Sequence, residues 1–133
     1  MTTAVLIGDS QMVSLLSHLT ERLRARGIQV VASHAVAGWS TRSSVSGGRV
    51  AELMENEPDL VLLALGGNDT ATFTLMTAMS ELLRQIRAHN APHIVWVGPA
   101  HSTVAEVQTR KQRVVDMQRV YLPNQGVEWH DAM

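Results

Sequence analysis

Apolar residues fall along this chain in two alternating patterns. Short, mainly apolar runs recur at residues 4–7, 28–32, 60–65 and 93–97, and a last one begins at 127–129. Runs this short without polar alternation predict strands buried on both faces of a parallel sheet. Between them the apolar residues step at helical spacing. Met12, Leu15, Leu16, Leu19 and Leu23 mark one helix, with Gly27 set to stop it. Residues 50–57 predict a short helix ended before Pro58. Leu75, Met76, Met79, Leu82, Leu83 and Ile86 mark the next, and Val104, Val107, Val114, Met117 and Tyr121 mark the last, where Lys111 interrupts the apolar stripe. The order β-α-β-α-β-α-β-α-β predicts an α/β fold with one parallel sheet and helices on both faces.

In such a sheet ligands bind beyond the carboxyl ends of the strands. Each predicted strand here ends in a Gly-rich or polar break. That places Ser10, a long loop at 34–48, Asn68 and His101 around one crevice. Each has a plain structural reading beside the chemical one. Ser10 opens the first helix, where it would serve either as an N-cap or as a nucleophile beside unpaired amides. Asn68, behind Gly66 and Gly67, is either a turn residue or an amide donor to an oxyanion. Gly38 is either a flexible loop residue or a further backbone donor. Trp39 is either a loop anchor or a substrate contact. Arg42 and Arg49 are solvated arginines or contacts for an anionic substrate. The 109–113 segment reads as a solvated helix face.

Composition narrows the classes. The 133 residues suit one domain, 45% are apolar, and the formal charge of -1 carries no basic footprint of a nucleic-acid binder. Absence of cysteine excludes thiol catalysis, disulfides and thiolate metal sites. No leader or membrane span is visible, so cytoplasmic location is the default expectation.

Gly8-Asp9-Ser10 after the first strand, Gly38 after the second and Gly66-Gly67-Asn68-Asp69 after the third resemble, in order, the first three sequence blocks of the SGNH/GDSL hydrolases. That resemblance implies a three-layer α/β/α domain with a five-stranded parallel sheet, flavodoxin-like, and metal-free, cofactor-free ester hydrolysis. It implies Ser10 as nucleophile and an oxyanion hole from the Ser10 and Gly38 amides and the Asn68 side chain. Asp9, Gly67 and Asp69 would support the two loops. Trp39 and His101 would face a small ester or acylated-glycan substrate.

One block of the resemblance is missing. The family's base and its orienting carboxylate come from an Asp-x-x-His phrase after the fifth strand, and no such phrase occurs in these 133 residues. The expectations are a chain truncated at its C-terminus, a base drawn from His101, His130 or His34, or a catalytically incomplete protein, either a glycan-binding module or one that needs a partner chain. His18, His89 and His93 read as surface or helix-end residues. A receiver-type or FMN-binding signalling domain would share the topology, but the first loop lacks a phosphate-cradling composition.

Overall fold

The computed structural model describes residues 2–70 and 72–133, with the side chain of Thr72 left aside. Five strands, β1 (Thr2–Gly8), β2 (Ile28–Ala35), β3 (Leu60–Ala64), β4 (His93–Val97) and β5 (Glu128–His130), form one parallel sheet in the order β2-β1-β3-β4-β5. The helices are α1 (Ser10–Ala25), α2 (Thr41–Ser44), α3 (Arg49–Met54), α4 (Thr72–Ile86) and α5 (Ala105–Asn124). This is the expected α/β architecture.

Strand alternation decides which helix covers which face. Leu6, Leu62 and Ala64 point to one side, where Met12, Leu16, Leu19 and Leu23 of α1 cover them. Val5, Ile7, Val61, Leu63, Ile94 and Trp96 point to the other, where α3, α4 and α5 pack. Trp96 is fully buried, and its indole N–H donates to the Leu65 carbonyl at 3.0 Å. Burying a side chain of that size while satisfying its polar atom makes this face the larger core.

Two elements depart from the sequence expectation. β2 continues to Ala35, so His34 lies in a strand and not in the following loop. The extension follows from pairing, since Ala35 sits opposite Gly8 on β1. A bulge at Val31, where Ala4 pairs with Val30 and Val5 with Ala32, also reverses which side chains face α1. His34 therefore stands opposite Ile7, on the face away from α1. The 34–48 loop also contains a helical turn. α2 has no apolar period to reveal it, but the Ser40 side chain caps it by accepting from the Ser43 amide.

Candidate active site

The β1–α1 turn is built on two residues with separate duties. Asp9, and not Ser10, is the N-cap of α1, its carboxylate accepting the Gln11 amide at 2.9 Å. The capping reading of Ser10 is thereby corrected. Ser10 is the first helical residue and is exposed, and its hydroxyl and its backbone N–H have no hydrogen-bond partner among the described residues. Asp9 is 3% exposed, and burial raises its pKa, opposed by the Gln11 and Gly67 amides and by the charge of Lys111. Gly8 makes the turn tight. A Cβ there would strike Met12 Cβ of α1 and stand 2.6 Å from the Ala64 carbonyl oxygen.

The loops after β2 and β3 hold each other. Asp69, 5% exposed, accepts the Thr41 amide at 2.9 Å and the Thr41 hydroxyl at 2.6 Å. Burial pushes its pKa up, Thr41 pulls it back, and the Asp9 charge raises it further. The Asn68 side-chain amide donates to the Trp39 carbonyl at 2.9 Å. An amide N–H₂ carries two hydrogens, so a second remains for a ligand. Gly38 has φ of +88°, which suits glycine, and its N–H has no partner among the described residues. A Cβ at Gly38 would meet nothing within 4 Å. Backbone conformation, and not a clash with neighbouring protein atoms, thus favours glycine there.

Ser10, Asp9, Gly67 and Asn68 line one cavity of about 460 Å³, together with Gln11, Ser14, Leu15, Ala100 and Lys111. Gly38, Trp39 and His101 are not among its lining residues. Trp39 packs against the larger core, and its ring meets that of His34 edge-on at 4.5 Å. That geometry is an anchor's. His101 is exposed on the loop after β4. A larger open groove of about 600 Å³ runs between α1 and edge strand β2, but it shares no residue with the turns after β1 and β3.

α5 corrects the reading of 109–113 as a solvated face. The Arg110 guanidinium donates to the carbonyls of Gly67 and Asp69, at 2.8 and 2.7 Å. The Lys111 ammonium donates to the Ala100 carbonyl at 3.2 Å, on the cavity wall. Gln11 straps α1 to the same loop, its side chain donating to the Gly98 carbonyl and accepting the Ala100 amide. Sequence reading missed Gln11, Arg110 and Lys111 as site residues. The one available signal was the lysine interrupting the apolar stripe.

None of the six imidazoles is hydrogen-bonded to Ser10. His34 accepts from Arg49 on the far face, and burial, then the Arg49 charge, lowers its pKa. Arg49 also pairs with Glu52, whereas Arg42 lines a small pocket of about 70 Å³ beside Asn68 and Asp69. His130 shares a register row with Val97, Ala64 and Gly8. Three strand spacings separate it from Gly8, roughly 14 Å, which is beyond hydrogen-bond reach of Ser10. It bonds Glu128 instead, at 2.6 Å, and Glu128 also meets His93. Among the described residues no group of three or more His, Asp or Glu is placed to hold a metal ion, and no helix is long and apolar enough to cross a membrane.

The family model of the GDSL-like lipase/acylhydrolase family matches residues 6–132. No match was found among curated proteins. The fold is similar to the crystal structure of TesA, with a TM-score of 0.78 at 18% identity over 96% of this chain and 77% of that one. It is similar to a catalytic mutant of an acetylxylan esterase from Geobacillus stearothermophilus, with a TM-score of 0.79 at 12% identity over 96% and 74%. A carbohydrate esterase of family 3 from Talaromyces cellulolyticus gives 0.78 at 15% identity over 98% and 79%.

Proposed function

The chain belongs to the GDSL-like lipase/acylhydrolase family, and on that premise we propose that it is a serine esterase that acts through an acyl-enzyme on Ser10. The observation that carries the reading is the state of Ser10. Its hydroxyl is exposed and unbonded at the start of α1, in a cavity shared with the Asn68 side chain. In this reading Ser10 Oγ attacks the ester carbonyl while its proton passes to a base. The oxyanion receives the Ser10 and Gly38 amides and the second Asn68 N–H. Collapse expels the alcohol, and water then releases the acid and restores the serine. Asp9 and Asp69 position these donors without touching substrate.

The substrate class fitting this reading is a small ester, a short acyl or acetyl group on a sugar or lipid. Two solved structures of similar fold are named as esterases of carbohydrate, which favours sugar esters within that class. A second reading is supported by the lack of an imidazole bonded to Ser10 among the described residues: a non-catalytic, glycan-binding module on the same fold.

The test is hydrolysis of p-nitrophenyl acetate beside Ser10→Ala, repeated with added imidazole. The expected outcome is a rate above the Ser10→Ala background, with labelling by a fluorophosphonate confined to protein that retains Ser10. A rise with imidazole that requires Ser10 would show that the nucleophile is competent and the base is what limits it. Identical rates for both proteins at every imidazole concentration would leave the binding module as the better reading.

A further inference from the structure

Lys111 is the sole lysine of the chain. It stands on the helix face that buries Val114, Val115, Gln118 and Leu122, and it lines the cavity that holds Ser10 and Asn68. Its ammonium has three N–H donors and uses one, on the Ala100 carbonyl at 3.2 Å. It forms no ion pair among the described residues.

The charges around it are arranged unequally. Asp9 is buried, with its carboxylate engaged by the Gln11 amide and facing that of Gly67. Asp69 is buried and held by Thr41. Arg110 is spent on two loop carbonyls. Asp69 is thus turned away from the cavity, and Asp9, which borders it within the field of Lys111, has its carboxylate engaged by backbone amides, so the charged group left with unused donors at the cavity wall is a cation. A partly shielded ammonium attracts an anion more strongly than a fully solvated one does.

We infer that Lys111 is a specificity-determining residue that selects esters carrying a second, anionic group, a carboxylate on the acyl or alcohol part. This deepens the esterase reading and rests on it. The ammonium donates to the ligand carboxylate while Ser10 and Asn68 face the ester carbonyl. An uncharged ester would occupy the same cavity without that contact.

Monomethyl succinate and methyl succinamate are nearly isosteric and differ by one charge, as do the two glutarate homologues. NMR titration of each into the Ser10→Ala protein reads binding without turnover. In at least one length the acid should bind about three- to tenfold tighter than its amide. That ratio should fall toward one in the Ser10→Ala, Lys111→Gln protein, persist with Lys111→Arg, and shrink with added salt. Equal binding of acid and amide at both lengths, or a preference that survives Lys111→Gln, overturns the assignment. Failure of the esterase reading shows separately, as hydrolysis by the Ser10 protein no faster than by Ser10→Ala, and does not alter the ratio.

Discussion

At the scale of single residues, Asn68 carries the most. One of its side-chain hydrogens goes to the Trp39 carbonyl and holds the β2 loop in place. The other has no partner among the described residues and, in the proposed mechanism, meets the developing oxyanion. Loss of one such donor lowers turnover by about 10²–10³-fold, whereas loss of one partly buried hydrogen bond destabilises a fold by only about 0.5–1.5 kcal/mol. Asn68→Ala should therefore lose kcat steeply and keep nearly all of its thermal stability. Paired rate and melting measurements check this, and wild-type turnover in the variant would remove Asn68 from the oxyanion hole.

At the scale of elements, strand ends other than that of β2 were legible because a buried parallel strand must stop at a polar or Gly-rich break. β4 was expected at 93–97 and lies there. The side chains that trim the site were not legible. Asp9 and Ser10 are both good N-caps, and only the backbone shows that Asp9 takes the role. α2 is too short for any period. Lys111 read as a flaw in a stripe because the stripe runs past the core to the cavity edge. Gly8 shows how closely the β1–α1 unit is fitted, for a Cβ there meets Met12 of the helix and the Ala64 carbonyl oxygen of the neighbouring strand. Neither can yield without moving the start of α1. Overpacking of this kind costs about 1–3 kcal/mol. Gly8→Ala should lower the urea midpoint accordingly, at an unchanged slope, and displace Ser10 enough to reduce hydrolysis. A midpoint equal to wild type would mean that the turn is looser than its geometry.

At the scale of the whole molecule, stability is tied to pH through the two carboxylates that clamp the site. Asp9 and Asp69 both have pKa values raised by burial, and Asp69 further by the charge of Asp9. The folded chain thus holds protons that the unfolded chain has already released. Their contribution to stability is complete below the ordinary aspartate value of about 3.9 and declines as pH climbs through the raised values. Exposed Glu81, lowered to about 2 chiefly by the Arg84 hydrogen bond, and Glu128, lowered by His130 and His93, act in the opposite sense and lose their contribution as pH falls. A comparison with Asp69→Asn cancels these exposed groups. The asparagine keeps an oxygen for the Thr41 amide, and the Thr41 hydroxyl can turn to accept from its N–H₂. Melting temperatures taken from pH 4 to 7 should show wild type losing ground to Asp69→Asn as pH rises. A gap that stays constant, or widens in favour of wild type, would mean that Thr41 and the loop amides outweigh burial and that the clamp is held as a fully ionised pair.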